Sequence, residues 1–458
     1  MRKRLSRPGF LLARRRIDVH FEPMRNDSST RIREGIATRS RRKKAMAISR
    51  LFLHTKSAFR SVVYVLALSI GLTLSGCGGD IASTEPAYAT AARPQIDQLL
   101  ADTLTSGAVV FVQAPSGNWL TSFGTAVRGT DTPIPTNAHF RVGSVTKTWT
   151  GTVILQLVEE GKLSLSDPVS KYIANVPNGN AITIEQLLSM RSGLYNYTAN
   201  LAFNQTLDSE PNKVWTTGEM LNIAFTNPVY FAPGAGFSYS NTNTVLLGLI
   251  IEQLTGMSAA DAMKARLFEP LGLTHTFLPP QNDTSLPAPS PHGYQWGTNA
   301  ETATSEALSP ERQAAARNGS LQPTDVTTAS TSWAWTAGSG ISTVTELAAY
   351  VQRMVGGGYL NADMQAKRLA SCTPVQPSNP NSASYCLGLA KFGTFYGHTG
   401  EIPGFNTFMG YDPTTQTTIV TWATSAESPD GHAPANEIAQ ILMKELSKAA
   451  EVPNETRP

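Results

Sequence analysis

The sequence predicts a mixed α/β fold in which both ends of the chain build one antiparallel sheet and an all-helical part is inserted between them. Two pairs of strand-like runs carry this prediction: 108–113 with 119–126 near one end, and 405–411 with 417–423 near the other. Each pair is joined by a short turn-forming sequence, as in a β-hairpin. The chain between the two pairs has helical apolar spacing. We therefore expect helices flanking the sheet and a cleft between the sheet and the helical part.

Helices are expected at 96–104, from Ser144 to Gly161, and at 183–190, 244–254, 343–354 and 435–446. Two of them begin with a capping-box sequence, Thr183 to Gln186 and Thr343 to Glu346, in which side chains satisfy backbone N–H groups of the first turn. Residues 281–333 are rich in Pro, Ser, Thr and Asn without an apolar period. We expect them to form a long surface excursion.

The first part of the chain has the features of an export leader. Met46 is followed by a basic region, an apolar stretch at 62–74 and two small residues before Cys77. Leu74-Ser-Gly-Cys77 resembles the bacterial lipobox, in which the cysteine carries the lipid; the alternative is an ordinary secretory signal that contains a cysteine. We expect five segments: a basic unstructured leader at 1–45, a signal peptide at 46–76, a tether at 77–92, one folded domain at 93–449 and a tail at 450–458. Translation that starts at Met46 would omit the leader. Within the domain, the sheet part is expected at 93–142 and 335–449 and the helical part at 143–334.

The charge is distributed unevenly along the chain. Residues 1–76 hold 18 Lys and Arg against 4 Asp and Glu, whereas the rest holds 19 against 30. The net charge of +3 therefore conceals a body of about −11. Such a body is unsuited to binding a phosphate backbone, and we exclude nucleic acid as a partner.

Two cysteines, Cys372 and Cys386, lie 14 residues apart in a Pro/Ser/Asn-rich stretch. In an exported protein such a pair can close, so we expect a local disulfide. A metal site is the weaker alternative because no histidine or further cysteine stands at ligand spacing beside them. We expect no metal and no cofactor.

Ser144-Val-Thr-Lys147 places a nucleophile and a base one helical turn apart. A serine alcohol is inert at neutral pH, and a lysine accepts its proton only when burial or nearby cations lower the amine pKa from about 10.4. A helix N-terminus also offers backbone N–H groups to an anionic oxygen. The four-residue pattern is common on ordinary helix surfaces, so its meaning depends on other parts of the chain.

Two further motifs supply suitable polar groups, Tyr239-Ser-Asn241 and His398-Thr-Gly400. A phenol can shuttle a proton, an amide can orient a substrate carbonyl, and a glycine lets a ligand approach the backbone. The alternatives are that Tyr239 fills the core and that Asn241 caps a helix. Trp333 and Trp335 are candidates for a cleft wall, with core packing as the alternative.

The three motifs follow in order, 95 residues from Ser144 to Tyr239 and 159 from Tyr239 to His398. In this order they resemble the family that unites class C β-lactamases, serine D-alanyl-D-alanine carboxypeptidases and related esterases. The resemblance covers about residues 93–448 and implies the β-lactamase/transpeptidase-like fold. It continues through the segments 140–144, 155–163, 167–168, 187–194 and 237–241.

The resemblance implies a role for each residue on the nucleophile side of the cleft. Ser144 would be acylated, and Lys147 would take its proton. Tyr239 would pass a proton to the leaving amine and help deacylation. Asn241 would support the substrate amide.

On the opposite wall, the resemblance implies that His398 and Thr399 meet the substrate carboxylate, beside Gly400 as a further substrate-binding residue. It also implies that backbone N–H groups of Ser144 and Glu401 form an oxyanion hole. Class C β-lactamases usually have lysine at the position of His398, so the histidine favours the carboxypeptidase branch. With an ordinary pKa near 6.5 it also predicts activity that changes between about pH 5 and 8. Glu401 would repel a carboxylate-terminated peptide if it faced the cleft, which leaves an esterase open.

We therefore expect an exported serine hydrolase that acts as a D-alanyl-D-alanine carboxypeptidase on peptidoglycan stem peptides. The alternatives are an esterase or β-lactamase of the same fold, or a slowly acylating penicillin-binding receptor without turnover. Its partners would be a peptide, β-lactam or ester substrate and a membrane, reached through the lipid on Cys77. We expect a monomer on the extracytoplasmic side of a bacterial cell envelope.

Overall fold

The computed structural model describes residues 85–379 and 382–451, which contain an eight-stranded antiparallel sheet. The described residues form twelve strands in all: β1 (Gly107–Gln113), β2 (Trp119–Gly124), β3 (Phe140–Arg141), β4 (Tyr294–Gln295), β5 (Thr324–Asp325), β6 (Ile341–Ser342), β7 (Thr373–Pro374), β8 (Ser384–Tyr385), β9 (Ala390–Phe392), β10 (Phe395–Ile402), β11 (Phe405–Asp412) and β12 (Thr417–Ala423). Four of them lie outside the large sheet, where β3 pairs with β6 and β4 pairs with β5. The order in the large sheet is β2-β1-β12-β11-β10-β9-β8-β7. The first two strands therefore pair with the last one, and the predicted sheet built from both chain ends is confirmed.

Thirteen α-helices accompany the sheet in the described residues. They are α1 (Ala87–Asp102), α2 (Thr146–Glu159), α3 (Ile184–Leu188), α4 (Leu201–Ser209), α5 (Thr217–Thr226), α6 (Asn241–Thr255), α7 (Ala259–Met263), α8 (Asn299–Thr302), α9 (Pro310–Arg317), α10 (Trp335–Gly338), α11 (Val344–Val355), α12 (Ala362–Ala370) and α13 (Pro434–Glu451). Within this part of the chain, no single helix is long and apolar enough to cross a membrane, and one pair, α6 with the segment Ala259–Leu271, passes that test only when joined across an 80° bend.

The sheet is covered on both faces, as its central strand β12 shows. All seven residues of β12 are buried. Val420 and Trp422 point into the core shared with α11, whereas Ile419 and Ala423 point into the core shared with α1 and α13. Successive side chains of a strand face opposite sides, so a strand covered on both faces needs apolar or hydrogen-bonded residues throughout.

The helical part is held against the sheet by a close approach of backbones. A Cβ at Gly151, in α2, would lie 2.9 Å from the Cα of Gly388, in the turn between β8 and β9. Only glycines allow this distance. Helix α2 also packs against α6 and α10, which brings the N-terminal ends of α2 and α6 to the same region beside β10.

Three local features differ from the sequence-based expectation. Helix α1 begins at Ala87, inside the expected tether, because Tyr88, Ala89 and Ala92 are buried against the sheet and offset the interruption by Pro94. Helix α6 begins three residues earlier than expected. The excursion at 281–333 is not irregular throughout, since it contains β4, β5, α8 and α9.

The predicted leader and signal peptide and Cys77 lie outside the described ranges. Half of the expected tether, residues 77–84, and most of the expected tail, residues 452–458, also lie outside them. The structure joins Cys372 to Cys386 in a disulfide.

Candidate active site

The chain reaches Ser144 through a turn that only glycine can make. Strand β3 is followed by Gly143, whose φ is +56°, and by a short 3-10 turn over Gly143–Val145 that leads into α2. A Cβ on Gly143 would lie 2.5 Å from the backbone nitrogen of Glu401. The turn therefore presses the start of α2 against β10 and leaves the Ser144 side chain half-buried at the cleft.

Lys147 is the buried base of the site. It is 2% exposed, and its Nζ lies 3.0 Å from Ser144 Oγ, 2.7 Å from Asn241 Oδ1 and 2.7 Å from the carbonyl of Ala337. Burial lowers the pKa of this amine well below its ordinary value. In the neutral form, two N–H groups can still donate to Asn241 and Ala337 while the lone pair faces the Ser144 hydroxyl. The arrangement suits a lysine that accepts the serine proton.

Tyr239 is held as a neutral phenol beside this pair. Lys147 Nζ lies 4.7 Å from the centre of its ring. The hydroxyl is buried and faces Ser144, but the two groups do not form a hydrogen bond of standard distance and angle. Burial raises the pKa of the phenol well above its ordinary value, and the neighbouring Tyr385 and Glu401 raise it further. Tyr239 therefore carries its proton at rest and can donate it.

Asn241 is the first residue of α6, and its side chain serves the site. Its Oδ1 accepts from Lys147, and its Nδ2 donates to Thr198 Oγ1 at 3.0 Å. Its backbone N–H donates to Asn196 Oδ1 at 3.0 Å. Asn241 does not cap α6, because the N-cap position is Ser240 and no side chain makes a capping hydrogen bond there.

Strand β10 forms the opposite wall and depends on Gly400. A Cβ there would lie 1.9 Å from the carbonyl oxygen of Val142 and 3.3 Å from the backbone nitrogen of Ser144. The strand therefore lies directly against the nucleophile turn. This contact brings the backbone nitrogens of Ser144 and Glu401 to one place, as an oxyanion hole requires.

His398 lies in the cleft wall but is 1% exposed. Its Nε2 lies 3.1 Å from the Tyr385 hydroxyl, and its Nδ1 lies 2.5 Å from the carbonyl of Thr399. A carbonyl can only accept, so Nδ1 carries the proton and Nε2 accepts from Tyr385. Burial, and secondarily the electrostatic influence of the nearby Lys147 amine, lower the pKa of His398 to about 3. The expected change of charge between pH 5 and 8 is therefore wrong for this histidine, because the wall is desolvated.

Glu401 is exposed and lines the cleft, and its charge raises the pKa of Tyr239. The cleft has a volume of about 640 Å³. Its described lining includes four carboxylates, on Glu306, Glu401, Glu427 and Glu437. The cationic candidates in that lining are Lys444, on α13, and His432, just before it. The described lining of the cleft therefore holds more acidic than basic side chains.

Sequence reasoning missed several residues of the site. Asn196 and Thr198 hold Asn241, and Tyr385 holds His398. Asn196 lies two residues after the matched segment 187–194, which is the nearest signal the sequence offered. Of the two tryptophans, Trp333 lines the cleft and Trp335 is buried in the core.

No group of three or more metal-binding side chains occurs in residues 85–379 and 382–451. The arrangement of Ser144, Lys147 and Tyr239 suits proton transfer among these side chains, and the backbone N–H groups of Ser144 and Glu401 lie beside them. These are groups that the chain itself supplies.

Comparisons with known sequences give the family. A family model described as Beta-lactamase matches residues 93–443. Penicillin-binding protein 4* of Bacillus subtilis (strain 168) is 26% identical over 298 residues, which are 63% of this chain and 61% of that protein. Protein flp of Staphylococcus aureus (strain NCTC 8325 / PS 47) is 34% identical over 142 residues, which are 30% of this chain and 27% of that protein. The chain thus spans less than two thirds of the length of these curated relatives.

Solved structures share the fold. A D-stereospecific amidohydrolase from Streptomyces sp. has a TM-score of 0.65 and 28% identity, covering 78% of this chain and 97% of its own. A penicillin-binding protein from Bacillus halodurans has a TM-score of 0.59 and 22% identity, covering 77% of this chain and 99% of its own, and supports the fold alone. The family match over most of the folded domain and the shared fold lead to one conclusion: the chain belongs to the β-lactamase family of serine hydrolases.

Proposed function

We propose that this protein hydrolyses an amide bond beside a D-configured residue through an acyl-enzyme at Ser144. The observation that carries the proposal is the buried pair of Ser144 and Lys147, with 3.0 Å between Oγ and Nζ and a lowered lysine pKa. The name of one similar protein, D-stereospecific amidohydrolase, supports an amide substrate of this configuration.

Acylation would begin when neutral Lys147 takes the Ser144 proton and Oγ attacks the substrate carbonyl carbon. The backbone N–H groups of Ser144 and Glu401 would hold the negative oxygen of the tetrahedral intermediate, a contribution of about 3 kcal/mol per donor. Tyr239 would give its proton to the leaving nitrogen as the C–N bond breaks, and would recover a proton from Lys147. The products of this step are an ester on Ser144 and a free amine.

Deacylation would use the same groups with water in place of the amine. Lys147 and Tyr239 would take one proton from the water as its oxygen attacks the ester carbonyl, and would return a proton to Ser144 Oγ. The carboxylic acid product leaves, and the site is restored without any other reactant.

A second candidate is the D-alanyl-D-alanine carboxypeptidase that the motifs favour, and the relatives named penicillin-binding proteins support it. Its substrate ends in a carboxylate, which needs a cation. The described lining of the cleft has four carboxylates and, as cations, Lys444 and His432 at the α13 end. We therefore rank an amidase without a terminal substrate carboxylate first. Esterase and β-lactamase activities are further outcomes of the same assay.

The experiment is acylation and turnover by the wild type, Ser144→Ala and the control Ser320→Ala, which alters an exposed serine. We expect a fluorescent penicillin to label the wild type and the control but not Ser144→Ala. We also expect the wild type and the control, but not Ser144→Ala, to release p-nitroaniline from D-amino acid p-nitroanilides. The proposal is refuted if the wild type shows neither labelling nor turnover. Turnover of D-alanyl-D-alanine peptides in preference to the anilides would favour the second candidate.

We also propose that the protein is exported and anchored by a lipid on Cys77, and that it acts as a monomer in a bacterial cell envelope. The Cys372–Cys386 disulfide supports an oxidising compartment. Metabolic labelling with a fatty acid should mark the wild type and not Cys77→Ser. Light scattering of the purified protein tests the monomer.

A further inference from the structure

Three aromatic rings pack together at the wall of the catalytic cleft. The ring of Tyr385, on β8, lies 6.1 Å from the ring of Tyr239 and 5.6 Å from that of His398, and the last two rings lie 6.2 Å apart. Tyr385 is 1% exposed and does not line the cleft. It therefore contacts two residues of the site without being placed to contact a substrate.

His398 has one nitrogen that accepts a hydrogen bond. Its Nδ1 donates to the carbonyl of Thr399, so the lone pair of the neutral ring is on Nε2. The Tyr385 hydroxyl donates to this Nε2 at 3.1 Å. Burial raises the pKa of the Tyr385 phenol well above its ordinary value, so the hydroxyl keeps its proton and remains a donor. Both ring nitrogens of His398 are thus paired inside the protein.

Tyr239 is the neighbouring donor for which this pairing matters. Its buried hydroxyl has no hydrogen-bond partner of standard geometry, and in the proposed mechanism its proton goes to the leaving nitrogen. An unpaired Nε2 on the adjacent His398 would offer this hydroxyl an acceptor, since a buried acceptor is costly to leave without a donor. The phenol would then have to break that hydrogen bond before it could serve the leaving nitrogen.

Tyr385 is held in place by residues outside the cleft. The next residue, Cys386, is joined to Cys372 by the disulfide. Arg368, on α12, is fully buried, and its Nε donates to the carbonyl of Leu387 at 3.1 Å. The turn after β8 is therefore fastened by a covalent bond and by a charged hydrogen bond, which keep the Tyr385 hydroxyl directed at His398.

We propose that Tyr385 is a positioning residue for amide hydrolysis. By occupying Nε2 of His398, its hydroxyl prevents the histidine from competing for the proton that Tyr239 gives to the leaving nitrogen. The proposal rests on the amide hydrolysis proposed above, and it assigns His398 a passive place in the wall instead of a part in proton transfer.

The test compares two substrates with the same acyl group, the p-nitroanilide and the p-nitrophenyl ester of D-alanine. The anilide nitrogen needs a proton in order to leave, whereas p-nitrophenolate leaves as an anion. Because kcat/KM reports the steps up to acylation, Tyr385→Phe should lower it roughly 3- to 10-fold for the anilide, about the worth of one hydrogen bond, and leave it unchanged for the ester. A merely structural loss would lower both alike.

The matched control is Tyr88→Phe. Tyr88 is also 1% exposed, its hydroxyl donates to the carbonyl of Gly117 at 2.9 Å, and it does not line the cleft. This control should keep the wild-type rates with both substrates.

A double variant tests whether Tyr385 acts through His398. His398→Leu removes the acceptor nitrogen, so adding Tyr385→Phe to it should leave the ratio of anilide to ester turnover unchanged. The proposal is overturned if Tyr385→Phe alone leaves this ratio at the wild-type value, or if it lowers the ratio equally in the His398→Leu background. Labelling of Ser144 by a fluorescent penicillin and anilide turnover by the wild type would then show that the amide hydrolysis itself stands. If the wild type shows neither, both proposals fail together.

Discussion

In the proposed mechanism the hydroxyl of Tyr239 donates a proton, and in the structure it forms no full hydrogen bond, so Tyr239→Phe should separate activity from stability. In the folded protein this hydroxyl is buried without a full hydrogen bond, whereas in the unfolded chain water solvates it. Burying an unpaired hydroxyl costs about 1–3 kcal/mol. The ring and its contacts with Lys147 and His398 remain in the variant. We therefore expect the free energy of unfolding to rise by about 1 kcal/mol, at the lower end because the hydroxyl still faces Ser144.

The same substitution removes the proton donor for the leaving amine. General acid catalysis contributes roughly 10²- to 10⁴-fold, and we expect kcat to fall by that factor. Urea unfolding measures the stability and anilide turnover measures kcat.

The matched control is Tyr359→Phe, because that hydroxyl donates to the carbonyl of Leu267 at 2.7 Å. The control should lose about 1 kcal/mol and keep its activity. The reasoning about Tyr239 is refuted if Tyr239→Phe keeps its kcat, or if it unfolds more easily than the wild type.

Three further predictions concern other parts of the site. The pKa of His398 is about 3 in the folded protein, so between pH 6.5 and pH 3 the unfolded chain binds a proton that the folded chain does not. The contribution of His398 to the free energy of unfolding is therefore complete above pH 6.5 and is lost as the pH falls towards 3. His398→Gln should remove this part of the acid sensitivity in urea titrations. The same variant should leave the shape of the rate profile between pH 5 and 8 unchanged, and a titration lost from that window would contradict the pKa. Gly400→Ala should abolish penicillin labelling, because its Cβ would lie 1.9 Å from the carbonyl oxygen of Val142 and displace the nucleophile turn; normal labelling would contradict that contact. Replacing Cys372 and Cys386, 14 residues apart, by serine should lower the free energy of unfolding by about 3 kcal/mol in denaturant titrations, and a reducing agent should weaken only the wild type.

The contact between Ser144 and Lys147 was predictable because it is local. Residues three apart in a helix share a face whatever surrounds the helix. The capping box of Thr183 and Gln186 is local in the same way, and both of its hydrogen bonds form. The strand-like runs at the two chain ends were also readable, because alternation and turn residues are properties of short segments.

Prediction was weaker where distant parts of the chain compete for one group. Thr343 accepts from the backbone N–H of Glu346, as its capping sequence predicts. The Glu346 carboxylate, however, accepts the backbone N–H groups of Thr274 and His275. Asn241 likewise supports Lys147 and Thr198 instead of capping its own helix. Neither outcome is encoded in the neighbouring residues.

The sequence by itself determined the pairing of Ser144 with Lys147 and the fold that unites the chain ends, and it predicts which residues carry the chemistry. Only the tertiary structure decided the protonation of those residues and the charge of the cleft. Burial lowers the pKa of Lys147 and of His398, and it raises the pKa of Tyr239. Desolvation depends on everything packed around a group, and the carboxylates that line the cleft come from segments far apart in the chain. Both are sums over three-dimensional neighbours, which a linear motif does not contain.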